Sequence, residues 1–375
     1  MNNKEILISF FLPSLEGGGA EKMTVNLIKG FIDKEFKVDI ILSNAKGPFL
    51  NMIPEGCRIV DLKSKRVNFS LYKLVTYLNK EKPFALISGL SHTNIISLIA
   101  KVFSRSNTKF IVTEHNNLTL ATENSKNLRS KLLPFFIFLT YRNADKVIAV
   151  SRGVAEDLEN RIRYLKGKVE VEVIYNPIIV TEILEKKEEL IDHSWFNERS
   201  VPITLSAGRL TQQKDYSTLL KAFSIVRQNL DCKLVILGEG EERQNLNNLV
   251  RDLGIEDDVW MPGFVHNPYK YMSKASVFVL SSRFEGFANV IVEAMASGTP
   301  VVATDCESGP GEILDNGKYG KLVPIGDVEA MADAILETIK NPPDITMLQS
   351  RANQFNLDCA VSRYLEVIKN ANRHR

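Results

Sequence analysis

Short, unbroken apolar runs rich in Ile and Val recur along the first half of the chain, at Ile6–Leu12, Val38–Leu42, Leu86–Leu90, Phe110–Thr113, Val147–Val150 and Val171–Ile174. Runs without polar alternation predict strands covered on both faces, and the helix-length stretches between them predict a doubly wound, parallel α/β sheet. A second series of the same kind follows an interruption, at Ile203–Ser206, Leu234–Leu237, Val259–Met261, Val277–Leu280, Val301–Ala303 and Leu322–Val323. Two Rossmann-like domains are therefore expected. Between the series stand Asn176, Pro177 and the charged segment Glu182–Asp192, read as a linker with a short surface helix, which sets the hinge between Pro177 and Pro202. The closing segment Cys359–Asn370 carries Val361, Tyr364, Leu365 and Ile368 at i, i+3, i+4 and i+7, a helical stripe that must pack somewhere. The expected domains are 1–177 and 178–358, with the helical segment 359–375 available to pack back on the first.

A length of 375 residues exceeds what one core usually supports, and 44% apolar with 25% charged residues is the composition of a folded soluble protein. A net charge of +2 gives no reason to invoke nucleic acid. Cys57, Cys232, Cys306 and Cys359 lie far apart, without CxxC or metal-ligand spacing, and read as reduced packing residues. The first apolar run leads into a Gly-rich turn with no cleavage site or basic leader, so a cytoplasmic protein is expected. The longest apolar stretch, Leu132–Tyr141, contains Pro134 and is about half the length that spans a bilayer. Its flanking Arg129, Lys131 and Arg142 fit a helix resting at an anionic lipid surface, and its apolarity fits a core helix equally well.

Candidate chemistry gathers where strands end. The first strand leads to Gly17, Gly18, Gly19, Ala20 and Glu21, opening a helix whose backbone N–H groups and N-terminal partial charge suit an anion. This is not the GxGxxG dinucleotide fingerprint. In the second domain, Ile203–Ser206 is followed by Gly208, Arg209 and Leu210, then Lys214, two cations where an open α/β sheet binds ligands and suited to a diphosphate. The sharpest constellation runs from Ser281 to Pro300: a Gly-containing loop, a helix over Val290–Ala296, Gly298 to end it and Pro300 before the next strand. Glu285 and Glu293 would be rotated by roughly 80° on one continuous helix, so a shared target needs Glu285 in the loop and Glu293 inside the helix. The helix N-terminus near Asn289 would then point at a phosphate.

Gly18-Gly19-Ala20-Glu21, Thr113-Glu114-His115, Gly208-Arg209-Leu210 with Lys214 and the E-x7-E element Glu285…Glu293 resemble, in this order along the chain, the motifs of family 4 of the retaining glycosyltransferases. The resemblance runs from Gly17 to about Pro324 and implies the GT-B fold, two Rossmann-like domains facing a cleft, with the nucleotide held by the second and the acceptor by the first. It implies that Glu293 accepts from the ribose hydroxyls, as a carboxylate can from two adjacent OH groups. Glu285 would face the donor sugar, with Gly286, Phe287, Ala288 and Asn289 beside it and Gly18 and Gly19 opposite. Arg209 and Lys214 would neutralise the departing diphosphate. His115 either hydrogen-bonds the donor sugar or steadies the cationic centre through its neighbouring carbonyl, and a general-base role is not assigned. Glu239, in Gly238–Glu242, resembles part of the loop by the nucleotide base.

The same resemblance implies no cofactor and no metal, since such enzymes need none. Ser308-Gly309-Pro310-Gly311-Glu312 departs from the commoner Gly-Gly-x-Glu form and resembles bacterial transferases that use UDP-linked galactose or N-acetylhexosamines for surface polysaccharides. The implied partners are a nucleotide-sugar donor, a glycan or undecaprenyl-diphosphate-linked acceptor, and the cytoplasmic face of an inner membrane, contacted around Lys63, Lys65, Arg66, Arg129, Lys131 and Leu132–Phe138. Two rivals are a GT-B-fold sugar-nucleotide epimerase, which lacks the E-x7-E arrangement, and a sugar-binding protein of periplasmic type, which the clustered cations disfavour. A nicotinamide oxidoreductase would require the missing GxGxxG.

Overall fold

A computed structural model describes residues 3–16, 18–119, 128–162, 170–197 and 201–371; side chains at 128–131 and 197 lie outside the description, as do Gly17 and residues 120–127. The chain divides into two compact units, Met1–Ile178 with Leu357–Arg375, and Ile179–Asn356.

The first unit is a seven-stranded sheet of β1 (Leu7–Leu12), β2 (Lys37–Leu42), β3 (Cys57–Asp61), β4 (Ala85–Gly89), β5 (Lys109–Glu114), β6 (Lys146–Ala149) and β7 (Val171–Val173), in the order β3-β2-β1-β4-β5-β6-β7. Every pairing is parallel. The apolar runs become strands because both faces are covered. β3 has no counterpart among the expected strands. It lies at the sheet edge, where Ile59 is exposed and no unbroken apolar run is needed. Its anchor is polar: Arg58 donates from Nε, at 2.9 Å, and Nη2, at 2.5 Å, to the buried carboxylate of Asp39 on β2.

Two helical layers cover this sheet. On one face lie α1 (Gly19–Asp33) and α12 (Leu357–Asn370), sharing a core with Ile8, Phe10, Ile40 and Ile87. On the other lie α2 (Leu71–Glu81), α3 (Ser91–Phe103) and α4 (Leu128–Tyr141), with Leu158 and Ile162 of α5 (Arg152–Ile162) joining the same core. The apolar stripe of the C-terminal segment thus packs on the first unit through Val361, Tyr364 and Ile368. Lys109 Nζ caps its end by donating to the carbonyls of Ile368, at 2.7 Å, and Lys369, at 3.2 Å, where a cation also meets the helix dipole.

The second unit repeats the design with six parallel strands: β8 (Ile203–Ala207), β9 (Lys233–Leu237), β10 (Val259–Gly263), β11 (Val277–Leu280), β12 (Val301–Thr304) and β13 (Lys321–Val323), in the order β10-β9-β8-β11-β12-β13. Its core is built with α7 (Tyr216–Asn229), α8 (Arg243–Asp252) and α10 (Val328–Lys340), while α9 (Asn289–Ser297) packs against α11 (Ile345–Ala352). The charged segment read as a linker is anchored to this unit. It forms α6 (Val180–Lys186) and its carbonyls at Lys186, Lys187 and Leu190 accept from Asn267 Nδ2, Ser273 Oγ and Lys270 Nζ. Among the described residues no helix is long and apolar enough to cross a membrane.

The α1–α12 contact makes a sharp prediction. A Cβ added at Gly30 would stand 2.6 Å from Val361 Cγ2, and the stiff valine cannot swing away cheaply. Gly30→Val is expected to destabilise the protein by about 1–3 kcal/mol through overpacking, read by denaturant unfolding, with Gly30→Ala costing less.

Candidate active site

In an open parallel sheet, ligands bind beyond the C-terminal ends of the strands, where the strand order reverses and two neighbouring loops diverge. In the second sheet that point lies between β8 and β11. The loops leaving these two strands are laced together. Ser281 Oγ donates to the Lys214 carbonyl at 2.7 Å, Arg283 N to the Gln213 carbonyl at 2.8 Å, and Gln213 Nε2 to the Phe284 carbonyl at 2.8 Å. Lys214 therefore has little freedom in where it points. Its Nζ donates at 2.5 Å to Glu285 Oε1, which also accepts from Ser282 Oγ at 2.6 Å. The two charged side chains are only 17% and 8% exposed, so each depends on the other for its charge to be tolerated.

Glu285 precedes α9 and Glu293 lies inside it, both buried, which is the arrangement the eight-residue spacing requires. Ala288 turns the chain into the helix with φ 63°, and Asn289 opens it. Gly286, Phe287 and Ala288 are buried, with the Phe287 ring 5.5 Å from that of Phe355. The turn after β12 presses on this loop: Gly309 sits at φ 95°, and a Cβ there would fall 2.6 Å from the Phe287 carbonyl oxygen. Cys306, in the same turn, has its thiol pushed up to about 12 by burial, with the Glu285 charge adding to the shift.

Arg209 is exposed and has no ion-pair partner among the described residues, so a cation stands uncommitted at the end of β8. Beside it, Gly238 at φ 141° lets the end of β9 pass so close that a Cβ would lie 1.9 Å from the Gly208 carbonyl oxygen. Glu239 is bound by Arg243, whose Nη2 donates at 2.5 Å and Nε at 3.2 Å; this hydrogen bonding holds its carboxyl below the ordinary range. The Glu239 side chain stays more than half exposed while so paired.

The first unit offers the corresponding point between β1 and β4. Gly18 caps α1 and Gly19 opens it, and the Glu21 carboxylate leans back over Gly18, with Oε2 2.4 Å from where a Cβ would stand. Of the expected glycine trio, Gly17 lies outside the described residues. His115 follows β5, as expected, yet does not project to solvent. Its ring is buried in a small recess with Leu12, Met23, Gly89 and Tyr364, and neither nitrogen has a hydrogen-bond partner. Burial lowers its pKa from 6.5 to about 4, so the ring is neutral at ordinary pH.

Several residues escaped the sequence reading. Ser282 shares the Glu285 oxygen with Lys214, and Gln213 ties the two loops, yet neither residue type signals a role by itself. Glu114, next to His115, is fully buried and accepts from Ser91 Oγ at 2.9 Å, Asn94 Nδ2 at 3.0 Å and the Tyr141 hydroxyl. Burial raises its pKa. The sequence reading carried Glu114 only within the Thr113-Glu114-His115 motif and gave it no role of its own.

The chain thus has twin parallel-sheet units and, in the second, a cation-flanked carboxylate at a strand-order switch, and comparison with known proteins gives the class. The family model described as glycosyl transferases group 1 matches residues 187–355, and that of glycosyltransferase family 4 matches residues 17–182. The chain is 32% identical over 335 residues to an N-acetylgalactosamine-N,N'-diacetylbacillosaminyl-diphospho-undecaprenol 4-alpha-N-acetylgalactosaminyltransferase of Campylobacter jejuni, covering 86% of this chain and 87% of that one. A second Campylobacter jejuni protein, a GalNAc-alpha-(1->4)-GalNAc-alpha-(1->3)-diNAcBac-PP-undecaprenol alpha-1,4-N-acetyl-D-galactosaminyltransferase, is 27% identical over 96% of this chain and 98% of its own. The Anabaena protein HepE, solved with UDP and glucose, shares the fold with a TM-score of 0.79 at 20% identity, over 97% of this chain and all of that one. The chain belongs to family 4 of the glycosyltransferases. It is a glycosyltransferase, and neither the epimerase nor the binding-protein reading has support among these relatives.

The buried neutral His115 has a consequence for stability. Between about pH 6.5 and 4 the unfolded chain takes up a proton that the folded ring refuses, so stability falls as pH is lowered through that window and is fully present above it. The expected slope approaches about 1.4 kcal/mol per pH unit. In denaturant unfolding at a series of pH values, His115→Gln should lose this component, its stability difference from wild type being constant above about pH 7 and changing below; parallel curves throughout would show that the ring is not held neutral.

Proposed function

We propose that this enzyme moves galactose or an N-acetylhexosamine from a UDP-linked donor to a glycan carried on a polyprenyl diphosphate, with retention at the anomeric carbon and without a metal. The observation that carries the reading is the Lys214–Glu285–Ser282 cluster at the β8/β11 switch, beside the uncommitted Arg209 and the start of α9. The donor and acceptor classes are supported by the Campylobacter relatives, whose names give N-acetylgalactosaminyl transfer to undecaprenol-diphosphate-linked glycans. The Ser308-Gly309-Pro310 turn agrees with a UDP-sugar.

In this reading Glu293 accepts from the ribose hydroxyls and Glu285 from the donor sugar, while Lys214 and Arg209 meet the diphosphate. The bond between the anomeric carbon and the diphosphate oxygen breaks, and the negative charge gathering on that oxygen is stabilised by the two cations, set in place before reaction. The acceptor hydroxyl forms the new bond on the same face of the sugar, and its proton passes to the departing phosphate oxygen. His115, neutral through burial and with both ring nitrogens enclosed, takes no general-base role in this reading. The polyprenyl tail of the acceptor sets the reaction at the cytoplasmic face of a membrane, with the protein in peripheral contact.

Because Arg209 is exposed and unpaired, Arg209→Ala should leave unfolding stability within about 0.5 kcal/mol of wild type. It should lower kcat/KM for the UDP-sugar by about 100-fold or more. Lys214→Ala should lose both activity and stability, since it strands the buried Glu285 charge, at about 3–5 kcal/mol. UDP alone should raise the thermal midpoint equally with Mg²⁺ or EDTA, and Glu293→Ala should abolish that rise. Stabilisation by GDP or ADP in preference would discard the UDP donor, and no response to any nucleotide would discard the site.

A further inference from the structure

Arg209 owes its place to the residues on either side of it. Gly208 N donates to the Leu237 carbonyl at 2.9 Å and Leu210 N to the Glu239 carbonyl at 2.9 Å, while the Leu210 carbonyl accepts from Glu242 N at 3.0 Å. The end of β9 and the loop leaving it therefore grip both neighbours of Arg209. No side chain could stand between these segments. A Cβ at Gly240 would lie 2.2 Å from the Leu210 carbonyl oxygen, as one at Gly238 would lie 1.9 Å from that of Gly208. Segments bonded and packed this closely move together, so a shift of the β9 loop carries the Arg209 backbone with it.

The β9 loop is in turn held by Arg243, the first residue of α8. Its Nη2 donates to the Gly238 carbonyl at 3.0 Å and to Glu239 Oε1 at 2.5 Å, and its Nε to Glu239 Oε2 at 3.2 Å. Its Nη1 reaches the next strand and donates to the Met261 carbonyl of β10 at 3.1 Å. Every guanidinium nitrogen is thus committed, and the targets come from the ends of two neighbouring strands. Gly263 makes room for this at φ 94°, where a Cβ would stand 2.8 Å from Glu239 Oε1. A planar fork can make all of these bonds at once, whereas an ammonium on a flexible stem cannot. The two backbone carbonyls also set this contact apart from an ordinary surface ion pair, which contributes little.

The geometry points to Arg243 as a positioning residue for the transfer reaction: it fixes the β9 loop to β10 and, through that loop, the backbone on both sides of Arg209, so that this cation is in place before the diphosphate arrives. Arg243 touches no reacting group in this assignment; it acts through Arg209. The inference rests on the reading that Arg209 meets the donor diphosphate. A purely structural Arg243 would cost stability and leave nucleotide affinity alone, and an Arg243 that touched the nucleotide directly would add its own loss to that of Arg209.

The experiment is a double-mutant cycle on the full chain, read as the dissociation constant for UDP by titration calorimetry, with thermal unfolding of each variant as the check on folding. Arg209→Ala should weaken UDP by about tenfold or more, the loss of a charged hydrogen bond. Arg243→Ala should weaken it by about fivefold or more in the wild-type background and by less than about twofold once Arg209 is already alanine. Where Arg243→Ala does not fold, Arg243→Lys, which keeps the charge and most of the stem, carries the same cycle with a smaller first effect. Equal weakening in both backgrounds overturns the inference and leaves the Arg209 reading standing. So does a lowered thermal midpoint with UDP affinity unchanged. A wild type that does not bind UDP, or an Arg209→Ala variant that binds it as the wild type does, brings down the diphosphate reading of Arg209 and this inference with it.

Discussion

The adjacency of β8 and β11 is the constraint on which the candidate site depends. These strands are far apart in sequence, yet they pair in parallel, and the order of the sheet reverses between them. Their loops therefore leave the same edge of the sheet side by side and satisfy one another's backbone groups through Ser281, Gln213 and Arg283. Lys214 and Glu285 become neighbours as a result. The Lys214 ammonium and the Ser282 hydroxyl both donate to the same oxygen of the buried Glu285 carboxyl group, so its burial is met by two hydrogen bonds.

Around that pair the unit spends conformational freedom to hold a fixed shape. Ala288 adopts a left-handed conformation to start α9, and Gly309 lies so near the Phe287 carbonyl that no side chain fits. Gly238 allows β9 the same closeness to Gly208. Two pairs of backbone segments thus meet within van der Waals distance, the second next in sequence to Arg209, the cation left without an ion-pair partner among the described residues. The close backbone approaches hold this part of the unit in a fixed shape.

The first unit applies the same architecture to different ends. Its buried polar group at the strand edge is the Glu114 cluster, which joins α3 and α4 to the end of β5, while His115 one residue later is isolated among apolar side chains. One helical layer is closed by the returning α12; the other keeps its aromatic exterior.

The order and type of the elements were legible in the sequence because a strand buried on both faces must be apolar throughout, and a helix over a sheet must show its stripe; Val361, Tyr364 and Ile368 announced α12 in this way. The placement of Glu285 before α9 and Glu293 within it was legible too, from spacing, Gly298 and Pro300 alone. The edge strand β3 was not, since an edge lifts the requirement for an apolar run and Arg58 and Asp39 hold it instead. Nor was the environment of His115, whose burial among Leu12, Gly89 and Tyr364 is set by residues from β1, β4 and α12. Local sequence determines which segments are helices and strands, because periodicity is a local property. Only the tertiary structure decided which charges are paired, which ring is neutral and which apolar faces stay uncovered, because each of those depends on neighbours that the chain brings together from hundreds of residues apart.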